Sequence, residues 1–153
     1  MNLKYGYPAF VDDLKHIVCA LKISTFQPDI IVGLARGGLP AAVCLSHRLD
    51  IEMESVNWPR EENLRSSCWH IGDYIQEGKQ ILIVDDIIDS GRSIQSFLDH
   101  LQEGQVGDLR RENVRIATLL WYMDSDLYKP DFYGTKLSRE QHGFVDFFWE
   151  DKT

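Results

Sequence analysis

Hydrophobic positions along this chain switch between a helical period and short unbroken runs. Behind Pro8, the stripe Phe10, Leu14, Ile17, Val18 and Leu21 predicts an amphipathic opening helix. The apolar run Ile30 to Leu34 reads as a buried strand, followed by the turn Ala35-Arg36-Gly37-Gly38. Pro40 then starts a helix with Ala42, Leu45 and Leu49 on one face, and Ile51 to Val56 alternates as a strand. The polar segment Asn57 to Trp69, which holds Pro59, Arg60 and Arg65, predicts an excursion or hairpin. Lys79 to Val84 predicts the central strand. After it Ile94, Phe97, Leu98 and Leu101 recur on one face of a helix that fades near Gly104. Val114 to Trp121 predicts another strand, Tyr128 to Gly134 an aromatic edge element, and the tail from His142 is densely aromatic.

Strands alternating with helices predict an α/β fold, a mainly parallel twisted sheet of about five strands with helices on both faces. The 153 residues fit one domain, residues 1–153, with no repeat or linker to divide them. Composition narrows the partners. A net charge of −8 argues against wholesale binding of a nucleic-acid backbone, while leaving room for one basic pocket that takes an anionic small molecule. No apolar run is long enough for a membrane span, and the start MNLKYGYP lacks a signal-peptide core, so no membrane partner and a cytoplasmic setting are expected. Cys19, Cys44 and Cys68 are odd in number and read as small core residues in a reducing compartment. The five histidines are scattered, against a structural zinc site.

The chemistry concentrates in ILIVDDIIDSGRS, Ile81 to Ser93. A buried strand runs into the adjacent carboxylates Asp85 and Asp86. A third acid, Asp89, opens a tight turn containing Gly91, and a helix follows. In open α/β sheets the carboxyl end of a strand is where ligands bind. Backbone amides of Ser90 to Ser93 at the helix N-terminus suit a phosphate, with Arg92 adding charge and Ser90 and Ser93 adding hydroxyls. The acid pair just before them suits ribose hydroxyls or a ligand-bound Mg²⁺. Arg36, on the other glycine loop, would converge on the same sheet edge.

This stretch resembles the phosphoribosyl pyrophosphate signature of the type I phosphoribosyltransferases: a hydrophobic run, two acids, two hydrophobic residues, then a loop of Asp, Ser or Thr, Gly, and Ser or Thr. The turn LARGGLP resembles the pyrophosphate loop of the purine members. The resemblance implies a cis peptide at Ala35–Arg36, with Ala35, Arg36 and Gly37 on the diphosphate and Arg65 near a second pyrophosphate arginine. The run Phe144 to Glu150 is similar to the tail of many xanthine, guanine and hypoxanthine enzymes. It implies Phe144 as the ring stacked on the base and Val145 as the backbone reader of its edge, with a small hood built from the terminal segments. Where the family carries a lysine for the base's oxo group this chain has Tyr122, whose hydroxyl could donate without the fixed charge.

What the resemblance implies is a Mg²⁺-dependent enzyme of purine salvage, a homodimer in many relatives. It would move a phosphoribosyl group from phosphoribosyl pyrophosphate to guanine, xanthine or hypoxanthine. Asp85 and Asp86 would hold the ribose and the metal, Arg36 the leaving pyrophosphate, and Asp89, Ser90, Gly91, Arg92 and Ser93 the sugar phosphate side, with Asp89 also managing the base's proton. The catalytic set is Asp89, Asp86 and Arg36. Two other readings stay open: a regulatory protein that senses phosphoribosyl pyrophosphate without turnover, and a transferase for a non-purine base.

Overall fold

The computed structural model describes residues 1–58, 69–103, 110–125 and 127–151. Five strands carry the sheet, and the three inner ones, β2 (Ile30–Ala35), β4 (Ile81–Ile88) and β5 (Val114–Tyr122), are largely apolar on both faces, while the edge strands β3 (Met53–Asn57) and β6 (Phe132–Leu137) carry polar residues. They are parallel throughout in the order β3-β2-β4-β5-β6. The order reverses beside β2 and β4, whose carboxyl ends therefore open a crevice.

Alternate residues of each strand feed two cores. One face sets Ile31, Leu82, Val84, Ala117 and Leu119 against α1 (Tyr7–Ile23) and α2 (Leu39–Leu49). The other sets Val32, Ile83 and Ile116 against Ile71 of α3 (Trp69–Gln76) and the Ile94, Phe97, Leu98 and Leu101 stripe of α4 (Arg92–Glu103). Each such aliphatic side chain contributes about 1.5–3 kcal/mol on burial, so the two layers hold the crevice walls rigid. The α4 stripe is the one the periodicity predicts.

The sequence pattern gives no helix over Trp69–Gln76, which falls partly in the polar segment read as an excursion. Residues 59–68 of that segment, with Arg60 and Arg65, lie outside the described residues. Cys19 corrects another expectation: it is exposed on the outer face of α1 rather than in the core.

The termini form a second, two-stranded sheet in which β1 (Leu3–Tyr5) runs parallel to β7 (Val145–Phe147). Its packing is aromatic: Phe147 stacks on Trp149 with centroids 4.6 Å apart, and Tyr5 meets Phe147 edge-on at 5.3 Å. A buried carboxylate ties this unit to the main sheet. Asp13 of α1 accepts from the Tyr5 hydroxyl at 2.5 Å and from the Thr135 hydroxyl of β6 at 2.6 Å.

Candidate active site

At the carboxyl ends of β2 and β4 the two glycine loops face each other across a cavity of about 420 Å³. Ala35, Arg36 and Gly37 line one side, and every residue from Asp85 to Ile94 lines the other. Their approach depends on Gly37, because a Cβ there would overlap the Asp86 carboxylate. The Ala35–Arg36 peptide is cis, at the position the loop resemblance implies.

β4 places the acid pair by continuing past its buried Ile81 to Val84 run to Ile88, so Asp85 and Asp86 are half-buried. Both carboxylates lean on the main chain. Asp85 Oδ1 accepts from the Asp86 amide at 2.9 Å and Asp86 Oδ1 from the Ile87 amide at 2.8 Å. Burial, with the Asp86 charge beside it, pushes Asp85 well above the usual carboxylate range; burial also raises Asp86, with Glu150 adding to the rise. Two crowded carboxylates facing a cavity are a natural seat for a hard divalent cation. Among the described residues no group of three or more His, Cys, Asp or Glu could hold a metal. The donor set therefore fits Mg²⁺ of the kind that takes one or two carboxylates and draws its other oxygens from a bound phosphate ligand.

The loop after β4 turns through Gly91, whose φ of +82° is left-handed, and Tyr128 packs against it. The Ser90 hydroxyl accepts from the Arg92 amide at 3.3 Å, and α4 begins there, its first-turn amides at the cavity wall. Arg36, Asp89, Arg92 and Ser93 are exposed at the cavity, although Asp89 is paired with Arg139.

The base-side expectations divide. Phe144 is 68% exposed and lines a second, larger cavity of about 1380 Å³ that shares Arg36, Gly37 and Glu150 with the first. Val145 is buried in β7 opposite Leu3, and the Leu3 amide donates to the Phe144 carbonyl at 2.9 Å. In a parallel ladder Leu3 bonds to the residues flanking Val145, so Val145's own N–H and C=O point away from β1. Tyr122 differs from expectation. It is only 4% exposed, and its hydroxyl donates to the Gly143 carbonyl at 2.5 Å, because the segment before β7 folds back over the end of β5. Burial pushes its phenol up, with Asp89 adding to the rise and Arg139 opposing it. Its hydrogen is committed to the main chain, one residue before Phe144.

Two cavity residues, Trp58 and Glu150, and a third residue that pairs with the cavity residue Asp89 escape the sequence reading. Trp58, just past β3, closes one wall and donates its indole N–H to the Ser93 carbonyl at 3.1 Å. Glu150 reaches both cavities from the tail. Arg139 pairs with Asp89 while its guanidinium carbon lies 5.2 Å from the Tyr122 ring centroid. An aromatic beside a strand end and a cation just after one are the available signals, and neither is specific on its own.

Against known proteins, the model of the phosphoribosyl transferase domain matches residues 7–152. The xanthine-guanine phosphoribosyltransferase of Cereibacter sphaeroides is 34% identical over 71 residues, 42% of this chain and 42% of that protein. The transcriptional regulator GfcR of Methanococcus maripaludis is 30% identical over 95 residues, 59% of this chain and 45% of that protein. The chain thus spans less than half the length of these two curated relatives. The solved Helicobacter pylori xanthine-guanine-hypoxanthine phosphoribosyltransferase superposes with a TM-score of 0.68 at 25% identity, over 98% of this chain and 93% of that one. With nearly the whole chain matched by the domain model and both glycine loops facing one crevice, the chain belongs to the phosphoribosyl transferase domain family.

Proposed function

We propose that residues 1–153 act as one phosphoribosyltransferase domain that transfers the phosphoribosyl group of phosphoribosyl pyrophosphate to a purine base, with Mg²⁺ as cofactor. The observation that carries this reading is the single cavity lined by both Ala35–Gly37 and Asp85–Ile94. A diphosphate ester of a sugar phosphate presents a diphosphate, a diol and a monophosphate in sequence, and the cavity offers groups for each. Arg36 and the amides of its turn suit the diphosphate. Asp85 and Asp86 suit the ribose hydroxyls and the metal, and Ser90 to Ser93 at the α4 N-terminus suit the monophosphate.

Charge develops on the sugar as the bond to pyrophosphate breaks, so the residues' work is positioning and electrostatics rather than covalent attack. Asp85 and Asp86 would hold Mg²⁺, which when bound would supply positive charge toward the departing pyrophosphate. Arg36 stabilises the same charge from the opposite loop. Asp89 at the rim accepts the ring proton of the attacking base. Phe144 offers an exposed aromatic face for the base, and Val145 the backbone groups of its edge.

A second reading, a sensor that binds phosphoribosyl pyrophosphate without turnover, draws on the likeness to the Methanococcus regulator and on Tyr122, whose hydroxyl is committed to Gly143. Mass spectrometry of reactions containing phosphoribosyl pyrophosphate, Mg²⁺ and a panel of free bases separates the readings. A nucleoside monophosphate from guanine, xanthine or hypoxanthine supports the transferase. Tight binding of phosphoribosyl pyrophosphate with no pyrophosphate release supports the sensor, and a pyrimidine that outcompetes every purine would end the purine reading.

A further inference from the structure

Trp58 lines the first cavity, yet none of the ligand groups proposed for that cavity calls for an indole. Its contacts run along α4 instead. The indole N–H donates to the Ser93 carbonyl at 3.1 Å, and the ring meets the rings of Phe97 and His100 with centroids 5.4 Å away in each case. Residues 93, 97 and 100 are spaced i, i+4 and i+7, so they share one edge of the helix. Trp58 therefore lies along that edge as a bar from the end of β3 to α4. Its own backbone is held there, its amide donating to the Val56 carbonyl at 3.2 Å. Phe97 beneath the ring is fully buried, which gives the contact a rigid base.

The indole bond reaches the end of the helix that faces the cavity. Ser93 is the second residue of α4, and its carbonyl shares a peptide group with the Ile94 amide. That amide belongs to the first-turn N–H groups that have no intrahelical acceptor. Ile94 lines the cavity together with Ser90 to Ser93. A donor on the carbonyl side of a peptide polarises its N–H and strengthens that amide toward an anion. The bar also fixes how α4 is turned about its axis, and with it the direction of the first-turn amides.

We propose that Trp58 is a positioning residue for the sugar phosphate, acting through the Ser93–Ile94 peptide group and the edge of α4. This role rests on the reading of Ser90 to Ser93 as the monophosphate seat and deepens it. It makes the end of β3 a third support of the crevice, beside the two glycine loops.

Two fragments of phosphoribosyl pyrophosphate test the role, since they divide the cavity between them. Calorimetry of the full chain should show binding of ribose 5-phosphate and, with Mg²⁺, of pyrophosphate. Trp58→Phe keeps a ring over Phe97 and His100 and removes the N–H, while the Ser93 carbonyl keeps its helical bond from the amide four residues on. Affinity for ribose 5-phosphate should fall about threefold to tenfold, the range for one lost hydrogen bond. Affinity for pyrophosphate and the melting temperature should stay near wild type. In steady state the Michaelis constant for phosphoribosyl pyrophosphate should rise by a similar factor with kcat nearly unchanged. Ribose 5-phosphate that fails to bind the wild type, equal affinity in Trp58→Phe, or a loss shared by pyrophosphate would overturn the role. A selective loss of ribose 5-phosphate affinity in a protein that turns over no base would leave it standing and remove the transferase reading. Turnover with a Michaelis constant indifferent to Trp58→Phe would do the reverse.

Discussion

Gly37 lies directly over the Asp86 carboxylate, so close that a single methyl group at Gly37 would occupy the space of the Asp86 oxygens. The two loops of the cavity are therefore one packed unit: the first can sit where it does only because the second offers a flat carboxylate beneath it. Gly37→Ala must displace the Asp86 carboxylate or the loop that carries Gly37. Affinity for phosphoribosyl pyrophosphate should fall by roughly tenfold or more, a small displacement being enough to misalign several polar contacts at once. Calorimetry checks this, and wild-type affinity in the variant would mean that the ligand does not span both loops.

Gly91 and Gly78 make a matched pair for a stability test. Both have left-handed φ, +82° and +74°, so alanine at either should cost about 1–2 kcal/mol from backbone conformation alone. At Gly78 a Cβ would meet nothing within 4 Å, whereas at Gly91 it would lie 2.8 Å from the Tyr128 Cβ and 2.9 Å from the Tyr128 amide nitrogen. Gly91→Ala should therefore be clearly the more destabilising of the two in urea titration. Equal losses would show that the Tyr128 loop yields freely.

This contact also marks how much of the site the sequence could disclose. The strand, acid pair and helix of Ile81 to Leu101 are contiguous in the chain, and periodicity with residue chemistry is enough to read them. Ala35 to Gly38 is equally local. Tyr128 against Gly91, Trp58 on the Ser93 carbonyl and Arg139 on Asp89 join residues far apart in sequence, and no local pattern encodes such pairings. Tyr122 is the sharpest case. Its place at the end of β5 is legible, but the direction of its hydroxyl depends on where the segment before β7 returns. The parallel β1–β7 pair is hidden for the same reason, since three-residue strands at opposite termini leave no periodic trace.

The buried Asp13 predicts a pH dependence whose sign is opposite to that of a salt-bridged aspartate. Burial raises its pKa, outweighing the hydrogen bonds from Thr135 and Tyr5 and the nearby His16, which pull it down; Asp12 adds to the rise. The folded chain thus binds this proton more tightly than the unfolded chain. The Asp13 contribution to stability should improve as pH falls from the raised value to the ordinary aspartate range, and stay flat below it. Asp13→Asn, permanently neutral and of the same shape, should lose that slope. Urea titrations at neutral and mildly acid pH should show wild type gaining on Asp13→Asn as the pH drops. A constant difference between the two proteins would remove the assignment.

Tyr122 carries the last prediction, because a single hydrogen bond joins the end of β5 to the segment before Phe144. Its hydroxyl is the bond that holds the Gly143 carbonyl, and Gly143 precedes the exposed Phe144. Tyr122→Phe keeps the ring that packs in the core and lies under Arg139, and removes only that bond. Stability should fall by about 0.5–1.5 kcal/mol, the net value of a typical hydrogen bond, since Gly143 is itself exposed and water can replace the lost donor. The effect on ligands should be selective. A looser Gly143 lets Phe144 wander, so the Michaelis constant for the base should rise severalfold while that for phosphoribosyl pyrophosphate, which the proposed function assigns to Ala35–Gly37 and Asp85–Ser93, stays near wild type. Steady-state kinetics with each substrate varied in turn separates the two constants. If Tyr122→Phe raised both alike, the hydroxyl would be acting through the whole sheet rather than through the tail. If it raised neither, Phe144 would owe its position to the Leu3 amide on its carbonyl, and the base site would not depend on Tyr122 at all.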